Sequence, residues 1–201
     1  MNFCSHCGSA VQVKIPAGDN LPRFVCESCG VIHYVNPKIV AGCIVEWQDQ
    51  ILLCRRAIEP RYGYWTIPAG FLENGETVAE GAARETWEEA NAKVDQCELY
   101  HLYNIPHINQ VYLIFRGRLP LPQFSAGSES LEVELFKEHE IPWQDLAFKV
   151  VKDSLQRYYV DKKSGTHNTY MGSIVHETIR RDAIEKDREK HEDGESSGPP
   201  L

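Results

Sequence analysis

The sequence predicts an α+β fold, a sheet domain with at least two packed helices behind a small cysteine-bearing ribbon. Three observations predict it. Two C-x2-C pairs stand ahead of residue 30, extended runs rich in β-branched and aromatic residues fill the middle, and one helix is signalled at both of its ends. At 201 residues the chain can form one good core and an accessory module. The expected division is a ribbon over 1–35, a catalytic-sized domain over 36–165 and an extension over 166–201, without stable order from about residue 180.

The ribbon comes first. Cys4 and Cys7, then Cys26 and Cys29, form two knuckles with a separation inside the range for a four-cysteine zinc site. Gly8 and Gly30 follow the knuckles, as a tight turn around a metal wants. Disulfides or unrelated thiols are the other readings, and the absence of a charged-then-apolar leader in the first residues disfavours disulfides. Four thiolates fill a tetrahedral site, so this zinc is expected to be structural, supplying stability that so small a ribbon cannot bury for itself. His6 and His33 lie nearby but outside a complete set. Cys43 and Cys54 sit in apolar runs and read as small core residues, and neither they nor Cys97 has a histidine at a nucleophile's spacing.

After Asn36-Pro37 the pattern becomes extended. Ile39 to Trp47 and Ile51 to Arg55 read as a hairpin across Gln48-Asp49-Gln50, and Tyr64 to Pro68 reads as a further short strand in which Trp65 is a core residue. Next comes an acidic loop and a helix. Thr77 followed three residues later by Glu80 is a capping box, and Asn91 suits the left-handed residue that ends a helix, so the helix runs from Thr77 to about Ala90. Glu85, Glu88 and Glu89, three and four apart, share one face near the C-terminus, where like charges and the helix dipole both disfavour them. A divalent cation reverses that balance, because Mg²⁺ and Mn²⁺ take carboxylate oxygens. The bland alternative is an exposed ladder through Glu80, Arg84 and Glu88, worth little.

Glu98 to Ile105 and Gln110 to Arg116 read as strands, as does Leu131 to Phe136. Pro142 to Leu146 reads as the start of a helical turn. Phe148, Val151, Leu155 and Tyr158 or Tyr159 recur at helical spacing, predicting a final helix to about Val160. Thr166 to Ile179 is ambiguous; His167, Tyr170 and His176 are expected at the surface or in the tail. From Arg180 onward the chain is charged and then Gly/Ser/Pro-rich, with at most a frayed turn or two over Ala183 to Lys190.

Gly70, Glu76, Arg84-Glu85, Glu88-Glu89 and their spacing resemble the signature box of the Nudix hydrolases, Gly-x5-Glu-x7-Arg-Glu-U-x-Glu-Glu-x-Gly-U with U aliphatic. Two positions depart from it: Thr86 stands where an aliphatic residue is usual and Asn91 where glycine is, and neither touches a carboxylate. The resemblance implies an α/β/α sandwich with a mixed sheet, and hydrolysis of a phosphoanhydride in a nucleoside diphosphate joined to another group. It implies Glu85 and Glu89 as metal ligands, with the Ala69 carbonyl commonly joining them, and Glu88 as a second-metal ligand or base. Arg84 is suited to orient Glu76 by planar bidentate pairing. A further acid is expected from Ser128 to Phe136, which is similar to the acidic strand of zinc-ribbon Nudix enzymes; Glu129 is the choice, Glu132 the second. Arg56 is a candidate diphosphate contact.

From Phe3 to Phe148 the chain is similar to the plant chloroplast-type FAD and ADP-ribose pyrophosphatases of this family, on the runs Cys54-Arg55-Arg56, Tyr64 to Glu76, Arg84 to Ala90 and Glu129 to Phe136. Pro106 resembles the proline that marks ADP-ribose pyrophosphatases. The expected substrates are therefore ADP-ribose or FAD, with an NADH or nucleotide-capped RNA pyrophosphatase and a non-catalytic nucleotide-binding module as alternatives. The resemblance leaves a homodimer open. A net charge of -8 argues against a nucleic-acid surface, and without an apolar run of membrane length a soluble, cytoplasmic protein is expected.

Overall fold

The chain divides into two units, Met1–Pro37 and a second that begins at Lys38, and the computed structural model describes residues 1–175. The expectations for His176 and for the charged tail lie outside the described residues. In the first unit β1 (Val11–Lys14), β2 (Arg23–Cys26) and β3 (Ile32–His33) form an antiparallel meander. The two knuckles repeat one turn: Gly8 N–H donates to the Cys4 carbonyl and Gly30 N–H to the Cys26 carbonyl, each at 2.9 Å. That repetition brings the four thiols together. Cys4 and Cys29 Sγ are 3.7 Å apart, Cys7 and Cys26 Sγ 3.5 Å, and all four lie within 4.8 Å of one another.

The second unit is built on a mixed sheet in the order β10-β5-β4-β9-β8-β11. Its strands are β4 (Lys38–Trp47), β5 (Gln50–Arg56), β6 (Trp65–Thr66), β7 (Ala69–Phe71), β8 (Asp95–Ile105), β9 (Gln110–Arg118), β10 (Ser130–Lys137) and β11 (Tyr170–Ser173). β4 runs parallel to β9 and β11 parallel to β8, while the β8–β9 and β5–β10 pairs are antiparallel. Both faces of the sheet are covered, which is why β4 and β5 read as continuous apolar runs. Along them the side chains alternate: Ala41, Cys43, Val45, Leu52 and Cys54 pack with the first helix, and Ile44, Ile51 and Leu53 with the second. Cys43 and Cys54 are thus buried core residues, and Trp65 packs on the second cluster, edge-on to Phe136 at 4.9 Å.

Helix α1 spans Val78–Ala90, with Thr77 and Glu80 in a reciprocal capping box and Asn91 in the left-handed region at φ 47°. Helix α2 spans Lys149–Ser164 and ends at Gly165. Its α1-facing counterpart across the sheet completes an α/β/α sandwich. Pro142 to Leu146 forms turns without a helix, with Asp145 N–H donating to the Pro142 carbonyl.

The single strand expected at Tyr64 to Pro68 is divided, and the reason positions the site. β4 and β5 pair only over Val45–Trp47 with Gln50–Leu52 and then diverge. The gap is filled on one side by β6, paired to β5, and on the other by β7, paired to β4, with Cys43 N–H donating to the Pro68 carbonyl between them. Proline has no N–H for a ladder, so the switch of partner falls there.

Tyr170, expected at the surface, belongs instead to the sheet. β11 is the outermost strand, and the Tyr170 hydroxyl donates to Asp161 Oδ1 at 3.0 Å, beside Tyr100, which donates to Oδ2 at 2.9 Å. Sequence reading missed this strand because four residues with one glycine carry almost no pattern of their own. His101 lies in the same cluster, 1% exposed, with Nδ1 2.9 Å from Ser154 Oγ and its ring stacked on Tyr100.

Burial lowers the His101 pKa to about 4. The unfolded chain takes up this proton near pH 6.5, so it binds more protons than the fold between these values, and stability falls as the pH drops through that window. Urea unfolding should therefore show a loss of roughly 2 kcal/mol between pH 7.5 and 5 that His101→Gln largely removes. An equal loss in the variant refutes the assignment.

Candidate active site

The wedge between β4 and β5 delivers Ala69 and Gly70 to the face of α1. The acidic loop that follows is closed by Glu76, whose Oε1 accepts from Glu73 N–H at 2.8 Å. Arg84 then uses all five of its donors. Nε and Nη2 grip Glu76 at 2.9 and 2.8 Å, Nη2 also reaches the Phe71 carbonyl at 3.1 Å, and Nη1 bridges Glu85 at 2.7 Å and Glu88 at 2.9 Å. The Arg84 guanidinium, with the Glu73 N–H, pulls the Glu76 carboxyl down to about 2. A lysine could not make this fork.

Glu85 and Glu89 point inward, 9% and 6% exposed, whereas the Glu88 side chain is 55% exposed. Burial raises the pKa of Glu85, opposed by Arg84. For Glu89, burial and then the Glu85 charge push it up to about 8, against a bond from Ala69 N–H at 3.3 Å. For Glu85 the charges that add to burial are those of Glu88 and Glu129. The space beside them is reserved: a Cβ placed on Gly70 would lie 2.3 Å from Glu85 Oε1.

The other acid comes from far along the chain. Glu129 lines the same cavity as Glu85 and Glu89, and its charge raises both of their pKa values. Its backbone carbonyl accepts from Ala57 N–H at 2.8 Å, fixing it to the end of β5. Glu132 is placed elsewhere, on the exposed side of β10 and paired with Arg55 at 3.3 Å. Asn91 contributes more than a helix end. Its side-chain amide donates to Ser125 Oγ and to the Ser125 and Ala126 carbonyls, and Gly127 N–H donates to the Glu89 carbonyl, so the loop before Glu129 is tied to the end of α1. The sequence offered a signal here in the replacement of glycine by a residue with donors.

The acids form one wall of a cavity of about 670 Å³. Arg56 is in another wall, 8% exposed, with Nε donating to the Pro60 carbonyl at 2.9 Å and its guanidinium 5.2 Å from the Phe148 ring centre. Phe71, Tyr112, Phe148, Lys149 and Ile174 also line it, and no local motif marked these five.

A mixed sheet between two helices, with buried carboxylates lining a cavity of nucleotide size, is an arrangement suited to holding a divalent cation against a phosphoanhydride. The chain belongs to the Nudix hydrolase family: the NUDIX domain model matches residues 36–158 and the Nudix N-terminal zinc-ribbon model residues 2–35. It is similar to a NUDIX hydrolase from Nitrosomonas europaea, whose crystal structure is 54% identical with a TM-score of 0.85 over 88% of this chain and 100% of that one. It is 30% identical over 132 residues to the ADP-ribose pyrophosphatase of Methanocaldococcus jannaschii, covering 61% of this chain and 76% of that protein. It is 33% identical over 115 residues to the NAD-capped RNA hydrolase NudC of Chromobacterium violaceum, covering 56% of this chain and 41% of that protein, so the chain spans about two fifths of that relative's length. Among the described residues no helix is long and apolar enough to cross a membrane.

Both metal sites that the family implies can be tested against these residues. The thiol separations of 3.5 and 3.7 Å match the ~3.8 Å edge of a zinc–thiolate tetrahedron. The carboxylates of Glu85, Glu89 and Glu129 are hard oxygen donors lining one cavity, and Gly70 leaves the room that the Glu85 carboxylate occupies against the backbone, which suits Mg²⁺ or Mn²⁺. Among the described residues these carboxylates do not meet as closely as the thiols do.

Gly70→Ala tests the reserved space. A methyl group there collides with the mobile end of the Glu85 side chain and not with backbone, so the fold should survive while the carboxylate moves aside. The expected result is a melting temperature within about 3 °C of wild type and Mg²⁺ affinity reduced at least tenfold by calorimetry; unchanged affinity sinks the reading.

Proposed function

We propose that this chain is a divalent-metal-dependent pyrophosphatase that cleaves the phosphoanhydride of ADP-ribose or FAD, releasing AMP with ribose 5-phosphate or with FMN. One observation carries the proposal: Glu85, Glu89 and Glu129 share a cavity of about 670 Å³ with Arg56 and three aromatic rings, Phe71, Tyr112 and Phe148. The volume falls within the range of sites for ligands of this size. The similarity to an ADP-ribose pyrophosphatase supports the substrate, and the similarity to an NAD-capped RNA hydrolase makes NADH and capped RNA the second reading.

Glu85, Glu89, Glu129 and the Ala69 carbonyl would hold Mg²⁺ or Mn²⁺. When bound, such a cation offsets the diphosphate's charge, polarises phosphorus and makes a water easier to deprotonate. The chain's own residues do the rest. Arg84 fixes Glu85, Glu88 and Glu76 relative to one another, so that the carboxylates do not swing apart when the cavity fills. Arg56, held by Pro60, presents its remaining N–H groups to the diphosphate. Glu88, held beside Glu85 by Arg84, takes the proton of the attacking water as the new P–O bond forms and the bridging P–O bond breaks. Nucleoside and partner group lie along the apolar walls. In the ribbon, Cys4, Cys7, Cys26 and Cys29 would hold a structural zinc.

A panel of ADP-ribose, FAD, NADH and NAD-capped RNA with Mg²⁺ or Mn²⁺, products identified by chromatography, should give AMP from the first two at the highest kcat/KM. Glu129→Gln should lower kcat for the preferred substrate by about a hundredfold with the melting temperature kept. Wild-type turnover in that variant removes Glu129, and no cleavage anywhere in the panel removes the hydrolase. Metal analysis should find one zinc per chain in wild type and less than about a tenth of that in Cys26→Ser, since a three-thiolate remnant loses closed coordination.

A further inference from the structure

The C-terminal segment after α2 lies outside the residues that the NUDIX model matches, yet it reaches the catalytic cavity. Past Gly165 the chain turns back and adds β11 in parallel to β8, with Tyr170 opposite His101 and Ser173 opposite Asn104. This strand is anchored on several sides. Thr169 Oγ1 donates to the Leu99 carbonyl at 3.1 Å, Asn104 Nδ2 to the Gly172 carbonyl at 3.3 Å, and the Tyr103 ring occupies the space where a Cβ on Gly172 would stand, 2.9 Å from its nearest carbon. The ladder continues one residue beyond the strand, where Ile174 N–H donates to the Asn104 carbonyl at 2.9 Å. Ile174 therefore sits beside Ile105, packs on the same buried cluster as Ile105, Val150, Tyr112 and Phe148, and lines the cavity with them.

The cavity so bounded has two chemically different ends. Glu85, Glu89 and Glu129 supply one; Ile105, Tyr112, Phe148, Val150 and Ile174, which pack in one apolar cluster, supply the other. Arg56 adjoins the second, its guanidinium 5.2 Å from the Phe148 ring centre, and Lys149, His107 and Gln110 also line the cavity. A diphosphate belongs at the first. The apolar cluster suits a flat ring with two faces to bury.

We propose that Ile174 closes a ring subsite, so that the segment after α2 is a specificity-determining wall for the planar base of the substrate. This rests on the proposed function for the position of the diphosphate. The ring subsite itself needs only the cavity. Ile174 is a contact for the part of the ligand that does not react, and its loss weakens binding of ring-bearing ligands while the chemical step continues.

The test uses the full chain and three variants, Ile174→Ala, Ile174→Val and Ile174→Trp, with AMP as the binding probe in calorimetry and with ADP-ribose and dimethyl diphosphate as kinetic substrates. Removing most of a buried side chain should weaken AMP about tenfold in Ile174→Ala, with Ile174→Val restoring most of it. Ile174→Trp should fill the subsite and abolish AMP binding at an unchanged melting temperature. The KM for ADP-ribose should rise by the same factor as the AMP Kd with kcat within twofold, and the ring-free substrate should be unaffected. Equal AMP affinity in wild type and folded Ile174→Ala overturns the proposal, as does a kcat loss shared by both substrates. Absence of any hydrolysis alongside AMP binding that responds to Ile174 overturns the enzyme reading and leaves the ring subsite supported.

Discussion

The repulsion between two carboxylates buried one helical turn apart is what the rest of the domain is arranged to contain. Glu85 and Glu89 face inward from α1 where burial favours a proton over ionisation for both, and with the Glu85 charge added Glu89 is pushed up to about 8. Neither would stay there for packing alone, since apolar residues in the same places would pack as well without the electrostatic cost. The surrounding parts offset that cost. Arg84 spends its whole fork on Glu76, Glu85, Glu88 and the Phe71 carbonyl, and Ala69 turns its N–H to Glu89.

Such an arrangement needs backbone brought very close to a helix face, and the sheet provides it by coming apart. Had β4 and β5 stayed paired along their length, the chain between them would have been an external loop. Because they part after Leu52, β6 and β7 enter the opening, and Gly70 arrives against Glu85 with no side chain between them. Asn91 then couples the far end of the same helix to the loop carrying Glu129, so acids from distant parts of the sequence are fixed to one element. The rigidity of the site is thus a property of α1 and its two ends.

How much of this could be read from the sequence follows from the distance over which each interaction acts. The α1 limits were legible because Thr77, Glu80 and Asn91 act within a turn, and the cysteine knuckles because metal geometry imposes local spacing. Helical periodicity likewise put Glu85 and Glu89 on one face, but it grouped Glu88 with them, and that side chain is 55% exposed. The division of the Tyr64 to Pro68 strand was not legible, because it depends on β4 and β5 diverging, which neither strand announces. Nor was Tyr170 as a sheet residue: β11 gains its place from contacts with β8 and Asp161, some seventy and nine residues away. Arg56 could be named as a candidate diphosphate contact, but its burial against Phe148 and Pro60 comes only from the fold.

The same contrast separates the reaction from its substrate. Glu76, Arg84, Glu85, Glu88 and Glu89 lie in one short contiguous segment. The cavity's remaining walls come from β5, β9, the start of α2 and the residue after β11, each fixed by different long-range packing. β11 is also what covers the outer edge of β8, whose unpaired N–H and carbonyl groups would otherwise invite another strand. Edge protection and cavity wall are therefore one structure, and a change in the segment after α2 that keeps its backbone ladder can alter the wall without exposing the edge. Selection can in this way retune the ligand through Ile174 or its neighbours while the ladder to β8 holds the fold and the acids of α1 are left untouched.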